Sequence, residues 1–111
     1  MTEQVKVVFL SGSLGATQSQ ELKERIQEIL EKETSAKIVL VNLKDVTFVD
    51  SSGLGALVLA FKALRSVDKK LVLCSINEQV RILFELTGMD KVFEIFSNQE
   101  EFNKVVTSKI N

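Results

Sequence analysis

The chain has 111 residues, 45% hydrophobic and 26% charged, a length and composition suited to a single globular domain with one core. Fourteen basic and fifteen acidic residues leave a formal charge of −1, which provides no electrostatic footprint for nucleic acid and no polybasic patch for a membrane. With no histidine and a single cysteine, a Ser-His-Asp triad, a Cys-His pair and an internal disulfide are excluded, and zinc lacks a ligand set.

Residues 5–10 form a short, β-branched apolar run that ends at the turn-like "SGSLG". That stretch lacks the spacing and the lysine of a phosphate-binding loop. A helix follows. Thr17 and Gln20 have the spacing of a capping box, and Leu22, Ile26, Ile29 and Leu30 recur at helical intervals. Glu24, Arg25, Glu28 and Glu31 occupy its other side. Residues 38–43, "IVLVNL", read as a central strand covered on both faces, with Asn42 as the only polar member. After the loop "KDVTF", a second helix is expected over residues 52–65.

Residues 71–76 form another β-rich run, in which Cys74 reads as a buried structural thiol. A free cysteine without a signal peptide points to a reducing, cytoplasmic setting. No apolar run approaches the roughly 18 residues of a membrane span. Asn77 is placed to cap a helix in which Val80, Leu83, Phe84 and Thr87 share a side, and Gly88 stops it. Residues 92–96 read as a strand, and Asn98 caps a last helix that presents Phe102, Val105 and Val106. The order β-α-β-α-β-α-β-α predicts an α/β single domain over residues 1–111, with a mostly parallel central sheet covered by helices. In such sheets the loops at the carboxyl ends of the strands form the functional edge. Asp50 and Ser51 fall there.

The stretch "TFVDSSGLGALVLAFK" therefore invites two readings. In the first, Asp50, Ser51 or Ser52 caps the helix, a role worth about 1 kcal/mol. Gly53 then permits a tight turn, and Gly55 permits close approach to a neighbour. In the second, a hydroxyl at this helix start is a phosphate acceptor. Free amides and the positive end of the helix dipole favour an anion there by about 0.3–1 kcal/mol. The added charge of about −1.5 to −2 changes the surface without unfolding the domain. Leu54, Leu57, Val58, Phe61 and Leu64 make one apolar stripe along the helix, while Leu59 projects almost opposite, near Gly55, Lys62 and Ser66. An apolar residue beside the serine loop is a candidate partner contact.

The segment "NLKDVTFVDSSGLGALVLAFKAL" resembles the signature of the STAS domain family, in particular the bacterial anti-sigma factor antagonists. "SGSLGATQSQEL" is similar to the family's strand-loop-helix opening, and "LVLCSINEQVRILFELTGMDKVFEIF" to its later strand-helix-strand unit. The resemblance implies a small cytosolic domain that acts by binding, without enzymatic activity and without a cofactor. Antagonists of this family bind an anti-sigma factor that is also an ATP-dependent serine kinase, which frees the sigma factor. The kinase phosphorylates the serine directly after the motif aspartate, and the phosphorylated form no longer binds. A metal-dependent PP2C-type serine phosphatase restores it. Carried onto this sequence, the acceptor is Ser51, and the partner surface comprises Gly15, Asp50, Ser51, Ser52, Gly53, Leu54, Gly55, Leu59 and Lys62.

Two positions depart from the family pattern. Gly15 stands where the family often has an acidic residue, "GSLG" against "GELD", and one strand rather than a pair precedes Gly12. The alternative is a STAS scaffold, or a subunit of a sensory or transport complex, without a phosphoswitch. A phosphoaspartate receiver with Asp50 as acceptor would need a magnesium-holding acidic cluster, and "LSGSLG" offers no acidic pair.

Overall fold

The computed structural model describes residues 4–33 and 35–110. In chain order the elements are β1 (Val5–Leu14), α1 (Ala16–Lys32), β2 (Ile38–Val49), α2 (Ser51–Arg65), β3 (Lys70–Cys74), α3 (Glu78–Thr87), β4 (Glu94–Phe96) and α4 (Gln99–Ile110). A short 3-10 turn, Met89–Lys91, lies between α3 and β4. The alternation and the parallel sheet match the sequence-based expectation. All three strand pairings are parallel, and the spatial order β1-β2-β3-β4 is the chain order.

That order decides where the helices go. Each crossover between parallel neighbours is right-handed, so strands added successively in one direction place their connecting helices on one face. Leu22, Ile26 and Ile29 of α1, Leu57 and Leu64 of α2, and Val80 and Phe84 of α3 accordingly share one core. Val8, Leu10, Val39, Val41, Leu43, Leu71 and Leu73 complete it from the sheet. Among the described residues no strand follows α4, and this helix covers the opposite face. Phe102 packs there with Leu40, Val72 and Cys74. Both faces of β2 are therefore buried over residues 39–43, as its unbroken apolar run requires. Asn42 is buried too, and its amide donates to Gln99 Oε1 at 3.0 Å while its carbonyl accepts from the Lys44 amide at 2.9 Å. This polar pair fixes the start of α4 to the sheet.

Several boundaries differ from expectation. "SGSLG" is not a turn. β1 continues through it to Leu14, with irregularities of register after Phe9 and after Gly12, where φ is +75°. "KDVTF" is likewise strand, because β2 extends to Val49 to pair with the prolonged β1. The long β1 delivers the chain directly into α1 at Ala16, so the Thr17–Gln20 capping box does not form. Gly15 is the N-cap without a side-chain bond, Thr17 already lies in the first turn, and Gln20 donates to Glu24 Oε2 at 3.2 Å instead. β3 ends at Cys74, and β4 begins only at Glu94, because the 3-10 turn draws the Phe93 amide back to the Met89 carbonyl at 3.0 Å. The later caps hold: Asn77 accepts from the Val80 amide, Asn98 from the Glu101 amide, and Gly88 ends α3 in the left-handed conformation. Of the last helix's three expected contacts, Phe102 is buried and Val106 packs beside it, but Val105 is 37% exposed.

Candidate functional site

The prolonged ends of β1 and β2 lie side by side and carry the site. Leu14 and Val49 are register partners, both buried, and the Asp50 amide donates to the Leu14 carbonyl at 3.2 Å. Asp50 is thus held in extended backbone at the point where α2 begins. Its Oδ1 accepts from the Gly53 amide at 3.0 Å and its carbonyl from the Leu54 amide at 2.9 Å. Of the three residues able to cap this helix, the aspartate does so, and both serines are left exposed in the first turn. The helix therefore begins at Ser51, one residue earlier than expected.

Two glycines make room for this arrangement. Gly53 is buried, and a Cβ there would lie 2.1 Å from the Leu14 carbonyl oxygen and 2.7 Å from Leu14 Cγ. No side chain fits. A Cβ on Gly15 would come within 2.9 Å of Asp50 Oδ2, so the loop after β1 is empty where the carboxylate projects. Gly55 behaves otherwise than expected: a Cβ there would meet nothing within 4 Å, so it faces open space instead of a close neighbour.

The surface beside the serines is a groove of about 580 Å³ between α1 and α2. Ser51, Ser52, Gly55 and Leu59 line one wall, Ala16, Ser19 and Lys23 the other, and Ala56, Ala60 and Ala63 contribute to the floor. Leu59 is 68% exposed, opposite the buried Leu57 and Leu64, as the helical stripe predicts. Leu54 is half-buried and packs against the core, so of the expected partner residues it and Gly53 shape the site from beneath. Asp50, Ser51, Ser52, Gly55, Leu59 and Lys62 are exposed. The α1 wall escaped sequence reasoning. Its signal was the run of small residues in α2, Gly55, Ala56, Ala60 and Ala63, which leaves a hollow where a second helix lies alongside.

Chemically, the site offers a hydroxyl at a helix start, with the amides of the first turn and an acidic cap beside it. Among the described residues no cluster of His, Cys, Asp or Glu is able to hold a metal, and no helix is long and apolar enough to cross a membrane. Cys74 lies fully buried on the far side of the sheet, where desolvation raises its thiol pKa and a hydrogen bond with Ser75 lowers it less.

Fold and site together define an α/β module that presents an exposed serine directly after a capping aspartate, between two strand ends and an open groove. The chain belongs to the STAS domain family, whose model matches residues 1–102. It is 33% identical over 96 residues to the anti-sigma-B factor antagonist of Listeria monocytogenes, which covers 86% of this chain and 82% of that protein. Among solved structures, the STAS domain of a SulP transporter from Vibrio cholerae superposes with a TM-score of 0.84 at 16% identity, covering 96% of this chain and 84% of that one. The anti-sigma factor antagonist SpoIIAA in its unphosphorylated form superposes with a TM-score of 0.71 at 20% identity, covering 96% and 93%. These structural likenesses show the fold.

Proposed function

We propose that this chain is an anti-sigma factor antagonist. In its unphosphorylated form it binds an anti-sigma factor that is also a serine kinase and so releases a sigma factor. Phosphorylation of Ser51 ends the binding, and a PP2C-type serine phosphatase reverses it in the cytoplasm. The observation that carries this reading is the exposed Ser51 hydroxyl, set immediately after the Asp50 cap at the open end of α2. The likeness to the Listeria antagonist at 33% identity supports the same reading.

The physics of the switch follows from that position. A phosphate on Ser51 meets the positive end of the helix, so the fold tolerates it. The same dianion, pressed into a packed contact made by the groove and Leu59, must lose water or find a cation. An uncompensated buried charge costs several kcal/mol, and each ~1.4 kcal/mol is tenfold in affinity. Release therefore needs no change of fold.

The test is capture from a lysate of the native host by the wild-type chain, Ser51→Ala and Ser51→Asp. The alanine form is expected to retain an ATP-binding serine kinase that the aspartate form loses by at least about tenfold in affinity. That kinase with ATP should label the wild type and not the alanine form. Equal capture by both variants would sink the switch and leave Ser51 as a helix-start hydroxyl in a STAS scaffold.

A further inference from the structure

β1 is an outer strand, with β2 as its only neighbour among the described strands. Just before it, the Gln4 carbonyl accepts from the Lys37 amide, on the β2 side, at 2.8 Å. Backbone groups of successive strand residues point to alternate sides, so Lys6 and Val8 face β2 in turn. The N–H and C=O groups of Val5, Val7 and Phe9 then point away from the sheet. A row of this kind is a template for another strand unless something blunts it.

Among the described residues little blunts it. The strand has no proline, and its single charged residue, Lys6, is engaged with Glu33 at 2.5 Å. The register irregularities come only after Phe9, so residues 5–9 form a regular segment. On the face that α4 covers, Val5 and Val7 are half-buried at the margin of the Phe102 cluster, while Phe9 is 58% exposed. The segment "VKVVF" also fits its own reverse. Antiparallel pairing about Val7 sets Val5 against Phe9 of a second copy on that face, and Val7 against its own counterpart. On the other face Lys6 meets Val8, so no like charges are opposed. A strand from an unrelated protein has no such reason to match.

We propose that two copies of this chain associate through β1, antiparallel over residues 5–9 with the two-fold axis at Val7, and join their sheets into one. The contact is isologous and small, so it belongs to the weak, concentration-dependent class. At about 3.3 Å per residue, Leu14 beside Asp50 lies roughly 16 Å along the strand from Phe9, which leaves the Ser51 surface open in the dimer. The association does not depend on the proposed switch.

Sedimentation velocity of the full chain, from micromolar to millimolar concentration, is expected to show a monomer–dimer equilibrium. Val7→Pro removes an outward N–H and is tolerated by an edge strand, so it should raise the dimer Kd by at least about tenfold with an unchanged circular dichroism spectrum. With oxidised glutathione as the two-electron oxidant, itself released as the reduced thiol, Val7→Cys should form a disulfide-linked dimer, because a hydrogen-bonded antiparallel pair places the two Cα atoms about 5.5 Å apart, within disulfide range. Phe9→Cys, which faces Val5 of the second copy, should not. A chain that stays monomeric at millimolar concentration overturns the proposal. So does a dimer in which Val7→Cys fails to cross-link, and this second readout stands even if the proline variant does not fold.

Discussion

Gly53 and Gly15 flank Asp50 from two elements, and they differ in what a methyl group would strike. At Gly53 the obstacle is the Leu14 backbone, 2.1 Å away, which cannot move without shifting β1. Gly53→Ala is expected to cost about 3 kcal/mol in urea unfolding and to lower thermal stability accordingly. At Gly15 the obstacle is the far end of the Asp50 side chain, at 2.9 Å, which can swing aside at the cost of its bond to the Gly53 amide. Gly15→Ala should therefore lose only about 1 kcal/mol, the worth of a cap. Gly15→Asp adds a like charge next to Asp50, and its extra cost should shrink as salt is raised. Cys74 gives a prediction in pH. Burial raises its native pKa above the ordinary 9.0, so the folded state binds the thiol proton more tightly than the unfolded chain. Its contribution to stability is complete below pH 9.0 and is lost as pH climbs through the raised native value. Urea midpoints on either side of this window should fall more for the wild type than for Cys74→Val.

At the scale of elements, α4 stands apart because, among the described helices, it alone covers its face of the sheet. Its hold rests on Phe102, which is packed on Leu40, Val72 and Cys74 and lies edge-on to Phe96 at 5.5 Å between ring centroids. Phe102→Ala is expected to cost about 3–5 kcal/mol by chemical denaturation and to expose α4 amides to hydrogen exchange before those of α2. Element existence was legible throughout, since the 3.6-residue stripes of α1, α2 and α3 and the apolar run of β2 each carry one periodicity. Element ends were less so. The prolonged halves of β1 and β2, "SGSLG" and "KDVTF", contain the glycines and polar residues of a loop, yet they pair with each other to Leu14 and Val49. Only the neighbouring strand supplies the hydrogen bonds that make them extended. The Thr17–Gln20 box failed for the same reason, because the strand's length set where α1 begins.

Across the whole molecule, the alternating pattern made the mostly parallel sheet legible, while placing α1, α2 and α3 on one side took the spatial strand order together with the right-handed crossover rule. The position of Asp50 and Ser51 at the carboxyl edge also followed from the alternating pattern, and the exposure of Leu59 from helical geometry. These are properties that a chain's local periodicity and chirality determine. Other features depend on residues far apart in sequence. Among Asp50, Ser51 and Ser52 the aspartate became the cap because the Leu14 carbonyl holds its backbone and Gly15 leaves its carboxylate room. The groove wall of Ala16, Ser19 and Lys23, and the place of β1 at the edge of the described sheet, likewise exist only once the elements are assembled. Local pattern settled which residues form each element and which side faces the core. Tertiary structure decided where strands end, which side chain caps and which edge stays open, because those outcomes depend on hydrogen-bond partners and free space that other parts of the chain provide.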